Sequence, residues 1–473
     1  MYLSKVPINR SITGTDTNMV KQHFDIVVIG AGPAGIECAK KLADNGKQVL
    51  LIDRNVGGSY CFTGSVVSNL LLHISYLYER SINKSSNFIN IEYDKSASFD
   101  FKKAKKYIDG ITAKLVKDFQ DELEQSGVQL MRGTAVFEDA NTLRVTEEKQ
   151  SFLLGFSKAV IATGSNNMAT NVPSTKKLID STNIFELTTA PKSVIVVGGG
   201  FIGTEFATFF RRIGSTVTII EKTDKVLATI DRQVVKDYED QIKKNGVEIV
   251  KGVSVERIEK VGNKTIVFLS NDTKLESEEV FLSIGRKPNM GRLEVDNAGI
   301  KLCERGFPKL TKSLRTTNKN VYVVGDCTGI NMFVNWAFMS ADMVANDILE
   351  RSKVISADYC PRILHLDPEI AAVGLSEDKA KELGIDCKVI KHTFKNFENA
   401  IMSGTFKGFI KVIYDETTKK ILGCHAIGSG AAELVTTFSM MIQSKISLNK
   451  LEDFVFNHPT FSGVLGDIAG KVK

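Results

Sequence analysis

The stretch DIVVIGAGPAGIECAKKLADNGKQVLLID, residues 25–53, decides the fold. Its Ile26-Val27-Val28-Ile29 run is apolar without alternation, as a strand buried on both faces requires. Gly30-Ala31-Gly32-Pro33-Ala34-Gly35 follows as a G-x-G-x-x-G turn. A helix is expected from Ile36 to Asn45, ended by Gly46, and then a second strand over Val49–Ile52 with Asp53 at its tip. Each piece has a physical task. The first glycine makes the tight turn, the second lets backbone approach a pyrophosphate, the third lets helix close on strand, and the helix N-terminus offers N–H groups to phosphate oxygens. Asp53 is placed to accept from a ribose 2′-hydroxyl. A lone glycine fingerprint is weak, whereas strand, turn, helix, strand and acid in register point to a dinucleotide site. The competing reading is a glycine turn in an α/β unit that binds nothing.

The unit occurs twice. Ser193-Val194-Ile195-Val196-Val197 leads into Gly198-Gly199-Gly200-Phe201-Ile202-Gly203, a helix expected from about Thr204 to Ile213, and a strand ending in Glu221. Two such units imply two dinucleotides. A carboxylate at 221 bonds a free ribose hydroxyl and repels a 2′-phosphate, so the second site favours NAD(H) over NADP(H). Lys222 and Lys225 lie close by and temper that preference. Shorter apolar runs end in Gly164, in Gly285 and in Gly325-Asp326, the last placing a carboxylate at the ligand edge of a sheet, where a sugar or ribityl hydroxyl can be held.

Composition agrees with a large enzyme-like chain. Its 473 residues allow three or four domains, and a 43% hydrophobic content supplies their cores. A net charge of +6 is small against 61 basic and 55 acidic residues, which argues against nucleic acid or an anionic membrane as main partner. No apolar stretch is long enough to span a bilayer. Seven scattered cysteines contain no CxxC pair and no metal-ligand cluster, so no metal is expected and the set reads as reduced and cytoplasmic. Residues 1–23 lack the apolar core of a secretory signal. Lys5 and Arg10 give a weak organelle-targeting reading, Asp16 counts against it, a flexible extension is the expectation, and Met19 is an alternative start.

Taken together, residues from Phe24 to about Gly470 resemble the pyridine nucleotide-disulfide oxidoreductase family, the group of dihydrolipoamide dehydrogenase, glutathione reductase, mercuric reductase and the soluble pyridine nucleotide transhydrogenase. The last third carries that resemblance as strongly as the fingerprints do, in Asp367-Pro368-Glu369-Ile370-Ala371-Ala372-Val373-Gly374, Gly408-Phe409-Ile410-Lys411-Val412 and Ile421-Leu422-Gly423-Cys424-His425. The resemblance implies an α/β fold of two Rossmann-like dinucleotide-binding domains plus a C-terminal α+β dimerisation domain. Expected boundaries are 24–164 for the first part of the FAD domain, 165–286 for the NAD(P)H domain, 287–355 for the second FAD and central part, and 356–473 for dimerisation. It further implies FAD on the first unit, NAD(P)H on the second, and a homodimer whose sites use both subunits.

Carried over residue by residue, the family's pattern is uneven. FAD-holding positions match at Gly30, Gly32, Gly35, Asp53, Gly58, Ser59, Gly164 and Asp326, and nicotinamide-side positions at Gly198, Gly200, Gly203 and Glu205, with Glu221 and Gly285 beside them. The segment Gly57-Gly58-Ser59-Tyr60-Cys61-Phe62-Thr63-Gly64-Ser65 keeps the frame of the family's Cys-x4-Cys, but Tyr60 and Ser65 stand at the two cysteine positions and Cys61 is one residue out of register. Asn69 replaces a lysine, so Glu205 is expected to lack its ion-pair partner. His458-Pro459-Thr460 matches the family's proton-transfer histidine, with Gly463 where the orienting glutamate belongs. Hydride transfer from NADH to FAD survives this pattern and a dithiol relay does not. The expected function is therefore an NADH oxidoreductase that hands electrons from FAD directly to a small acceptor such as a quinone. Alternatives are a transhydrogenase and a non-catalytic FAD-containing scaffold. Cys61 is a candidate single redox thiol beside its reading as a packed cysteine.

Overall fold

The computed structural model describes residues 22–82, 97–351 and 354–472. Lys5, Arg10, Asp16 and Met19 lie outside them. Gln22 and His23, expected to close a flexible extension, instead open strand β1 (Gln22–Ile29) and pair with Leu154 and Gly155, because the neighbouring strand is 12 residues long and reaches them. The described residues fall into two compact units. One holds the chain up to Val67 with Tyr107–Met168 and Arg286–Ala357; the other holds Ser68–Lys106, Ala169–Gly285 and the chain from Asp358.

After β1 come α1 (Pro33–Asp44), β2 (Val49–Asp53), α2 (Gly58–Phe62), α3 (Ser65–Ile82), α4 (Phe101–Gln125), β3 (Gln129–Arg132), β4 (Thr134–Asp139), β5 (Thr142–Glu147), β6 (Gln150–Ile161) and β7 (Ser165–Asn167). The sheet order is β3-β2-β1-β6-β5-β4. β3, β2, β1 and the end of β6 run parallel, and β5 and β4 return antiparallel. Helix α1 starts three residues before the expected Ile36 because Pro33 already fits its first turn, where the missing N–H costs nothing. The core beneath is aliphatic and aromatic, with Phe24, Leu50, Phe137, Phe156 and Ala159 all buried.

The chain then builds β8 (Ser193–Val197), α5 (Phe201–Arg212), β9 (Thr216–Glu221), α6 (Arg232–Lys244), β10 (Val247–Lys251), β11 (Val255–Val261), β12 (Lys264–Leu269), β13 (Lys274–Ser277) and β14 (Glu279–Leu282). A parallel sheet β10-β9-β8-β14 carries the second fingerprint, and β11-β12-β13 form an antiparallel meander. On returning to the first unit, β15 (Arg286–Pro288) pairs with β7, β16 (Val321–Val323) pairs with the end of β6, and α7 (Val334–Ile348) packs on α1.

The remaining strands β17 (Arg362–Leu364), β18 (Ile370–Gly374), β19 (Cys387–Thr393), β20 (Phe409–Asp415) and β21 (Ile421–Ile427) form an antiparallel sheet in the order β17-β18-β21-β20-β19. Helices α8 (Glu377–Glu382), α9 (Glu398–Met402), α10 (Ala431–Gln443) and α11 (Val464–Ala469) accompany it. Two links explain why residues 68–106 and the C-terminal sheet belong with the second fingerprint. Glu79 on α3 takes both outer nitrogens of Arg211 on α5, at 2.5 and 3.1 Å, while Phe99 and Phe101 meet Phe209 edge-on. Asp231, the N-cap of α6, meets the buried Lys411 on β20 at 3.0 Å, and Glu377 completes that pairing at 2.7 Å. A lysine taken out of water persists only when paired in this way. Among the described residues, no helix is long and apolar enough to cross a membrane.

Candidate cofactor sites and the redox segment

Two cradles are built by one local rule. Gly30 turns after β1 with φ +113°, and a Cβ there would stand 2.3 Å from the Ala162 carbonyl oxygen. A Cβ on Gly35 would stand 1.8 Å from the Gly30 oxygen, so α1 closes on the strand only with glycine at that point. Around the place of a Gly32 side chain there is nothing within 4 Å, which leaves open space at the N-terminus of α1. Asp53 Oδ2 accepts from the Ala31 amide at 2.6 Å and Oδ1 from the Arg54 amide at 2.6 Å.

The second cradle follows the same pattern. Gly198 has φ +104° and faces the Ser283 oxygen, Gly203 closes on the Gly198 oxygen, and Gly200 borders open space. Glu221 Oε2 accepts from the Gly199 amide at 2.8 Å, and Oε1 accepts from the Thr223 amide and hydroxyl at 2.9 and 2.8 Å. Open space at a helix N-terminus, with an acid at the adjacent strand tip, fits a pyrophosphate and its ribose.

In the first unit, Gly58 and Ser59 open α2, Gly164 follows β6, and Asp326 sits in a single helical turn, Gly325–Thr328, directly after β16. Asp326 Oδ2 accepts from the Ser165 hydroxyl at 2.5 Å. Burial pushes its carboxyl above the usual range, opposed by that hydrogen bond and by the charge of Arg286.

The redox segment holds no pair of thiols. Tyr60 is half-buried, tilted against Phe119 at 6.5 Å, and its phenol is pushed up by burial. Ser65 begins α3. Cys61 is fully buried against Gly57, its carbonyl accepting from the Thr112 hydroxyl at 3.1 Å, and burial pushes its thiol up to about 11. At neutral pH it is a thiol, not the nucleophilic thiolate. All seven cysteines are free, and Cys38, Cys327, Cys360 and Cys424 are buried as well.

In the second unit lie Glu205, Gly285, which precedes β15, and His458. Glu205 on α5 is half-buried beside Ser68, Leu71, Leu72, Phe206 and Phe209. Among the described residues it meets no cation, and its one hydrogen bond comes from the His365 amide at 3.2 Å. Burial pushes the carboxyl up to about 7, against the pull of that amide. His458 is exposed, and its Nε2 lies 3.5 Å from Glu398 Oε2 on α9. The loss at Gly463 is visible in the sequence, but this carboxylate is not, because it lies 60 positions away with no motif to announce it. Lys225, close to Glu221 in sequence, donates its ammonium instead to the carbonyls of Ala228 and Ile230 at 3.2 and 2.8 Å. No group of three or more ligating side chains able to hold a metal occurs among the described residues.

Comparison with known proteins agrees with this architecture. The dihydrolipoyl dehydrogenase of Staphylococcus aureus is 29% identical over 452 residues, covering 94% of this chain and 96% of that protein. That of Buchnera aphidicola from Schizaphis graminum is 30% identical over 451 residues, 93% of each. The Cu(II) complex of the HOCl-induced flavoprotein disulfide reductase RclA from Escherichia coli matches with a TM-score of 0.84 at 27% identity, over 96% of this chain and all of that one. LpdA from Mycobacterium tuberculosis shares the fold, with a TM-score of 0.89 at 22% identity. Residues 24–341 match the pyridine nucleotide-disulphide oxidoreductase family and residues 360–469 its dimerisation domain. The chain belongs to that family and is an FAD- and pyridine-nucleotide-dependent oxidoreductase.

Proposed function

We propose that this enzyme oxidises NADH and passes the electrons from FAD directly to a small-molecule acceptor such as a quinone, with no redox disulfide of its own. The observation that carries this reading is the segment from Tyr60 to Ser65. A phenol and a hydroxyl stand where two sulfurs would be needed, and the one sulfur between them is enclosed, with its thiol held up at about 11. Disulfide exchange requires a thiolate to attack and a second sulfur to resolve.

Bound FAD supplies the hydride-accepting chemistry, which is the cofactor's own. The chain's residues bind, orient and handle protons. Gly30, Gly32, Gly35, Asp53, Gly58, Ser59, Gly164 and Asp326 hold the flavin nucleotide, and Gly198, Gly200, Gly203, Glu221 and Gly285 hold the nicotinamide nucleotide. Glu221 sets a preference for NADH, since a 2′-phosphate would meet a carboxylate already fixed by Gly199 and Thr223, and Lys225 is engaged in its own loop. Glu205 is uncharged below about pH 7 and can hold or release a proton there. His458 exchanges protons with the acceptor, with Glu398 as its carboxylate partner. Cys61 is a packing residue in this scheme.

The dimerisation domain supports a homodimer, and seven free thiols suit the reducing cytoplasm. A non-catalytic scaffold has no physical need for a second complete cradle. The test is a steady-state screen of NADH oxidation against a quinone, dioxygen, lipoamide, a nicotinamide analogue and Cu(II), the ion of the RclA complex. Rapid quinone reduction with negligible lipoamide reduction is expected. Preference for the nicotinamide analogue would make the enzyme a transhydrogenase, and lipoamide turnover near the ~10 per second typical of enzymes would overturn the proposal.

A further inference from the structure

We propose that Ser165 and Arg286 are positioning residues for Asp326, forming a one-way hydrogen-bond relay that turns a single carboxylate oxygen toward a hydroxyl of the flavin's ribityl chain. The inference rests on the reading of Asp326 as a flavin-holding acid and adds two residues to which no motif assigns a role.

The direction of the relay follows from donor and acceptor chemistry. Arg286 Nε lies 2.7 Å from Ser165 Oγ, and Ser165 Oγ lies 2.5 Å from Asp326 Oδ2. A guanidinium only donates and a carboxylate only accepts, so the single hydroxyl proton of Ser165 must point at Asp326. The serine cannot reverse, because its oxygen is occupied as an acceptor by Arg286. The guanidinium is itself held flat by further bonds, Nη2 to the Ser165 carbonyl at 2.7 Å and Nη1 to Asn167 Oδ1 at 2.8 Å. Its Nε stands 3.9 Å from Asp326 Oδ2, close enough to favour the charged carboxylate in a site where burial opposes it. Oδ2 is therefore claimed by the protein, while Oδ1 accepts from no described residue. A free carboxylate rotates about its last bond; this one is fixed with one oxygen left to offer.

The same contacts bind β7 to β15, in register Arg286 to Asn167 and Pro288 to Ser165. Met168 and Arg286 are where the chain leaves and re-enters this unit. A ligand bound by Asp326 thus also steadies that two-strand ladder, and the ladder's order in turn raises ligand affinity, as linkage requires.

The test uses apoprotein titrated with FAD and with FAD analogues that each lack one ribityl hydroxyl. Ser165→Ala is expected to weaken FAD about tenfold, the effect of one charge-assisted hydrogen bond, and to cost nothing further with the analogue lacking the hydroxyl that Asp326 binds. Ser165→Thr, which keeps a hydroxyl, should restore most of the affinity. Amide hydrogen exchange at residues 165–167 and at Arg286 and Lys287 should slow on FAD binding in the wild type and less so in Arg286→Gln. If Ser165→Ala fails to fold, Arg286→Lys, which keeps the charge but loses the fork, is measured in the same way. Equal weakening by Ser165→Ala toward FAD and toward every analogue would show a merely structural role and overturn the relay. Unchanged FAD affinity in Asp326→Ala would instead remove the underlying assignment of Asp326.

Discussion

Glu205→Gln is expected to stabilise the protein above neutral pH and to leave it unaltered near pH 4.5. The carboxyl sits among Leu71, Leu72, Phe206 and Phe209, with the His365 amide as its one hydrogen-bond donor among the described residues, and burial moves it from an ordinary 4.5 to about 7. At ~1.36 kcal/mol per tenfold change in acidity, that displacement corresponds to about 3 kcal/mol; partial solvent access lowers the expectation to about 2 kcal/mol. The sign follows from proton counting. Below 4.5 both folded and unfolded chains carry the proton, so the residue adds no pH dependence. Between 4.5 and about 7 the unfolded chain releases its proton first and stability falls, and above about 7 the deficit is constant. Glutamine has the same shape and never ionises, so it escapes the deficit. For a chain of this length the gain amounts to about 2 °C in melting temperature. Flavin-fluorescence melting at pH 5 and pH 8 measures it. A shift of the same size at both pH values, or a wild-type melting temperature indifferent to pH across this range, would refute the reasoning.

Acidification should destabilise the C-terminal sheet through His425, which is fully buried opposite Lys411 and held down to about 4 by burial. Stability is then complete above about 6.5 and is lost as pH falls toward 4, and a His425→Gln variant should show a shallower pH slope in circular dichroism melts. Glu221→Ala should narrow the preference for NADH over NADPH about tenfold in anaerobic stopped flow, and a wild-type preference for NADPH would return the specificity to Lys222. Light scattering should give a homodimer at micromolar concentration, in keeping with the dimerisation domain, and a stable, active monomer of 52.0 kDa would contradict it.

What could be read from the sequence is what local chemistry forces into short windows. Both fingerprints, the acids Asp53 and Glu221, and the strand-end Asp326 were legible because a tight turn, a helix N-terminus and a strand tip must follow one another within about 30 residues. The structure starts α1 and α5 three residues ahead of the expected Ile36 and Thr204, since Pro33 and Phe201 sit inside the glycine turn pattern yet already belong to the first helical turn. Long-range pairs left no trace. Glu205 meets the amide of His365, Arg211 meets Glu79, His458 meets Glu398 and Arg286 meets Ser165 across 160, 132, 60 and 121 positions. Only the fold brings such partners together, and a single sequence has no periodicity that would reveal them.

Anaerobic titration with NADH tests the central claim most directly. Two electrons per FAD should bleach the oxidised flavin straight to its reduced form, because Tyr60 and Ser65 provide no thiolate to stack on oxidised flavin and Cys61 stays a buried thiol; Cys61→Ser should give the same spectra. A long-wavelength thiolate-flavin band at the two-electron stage, abolished by Cys61→Ser, would contradict the account and place a working sulfur beside the flavin.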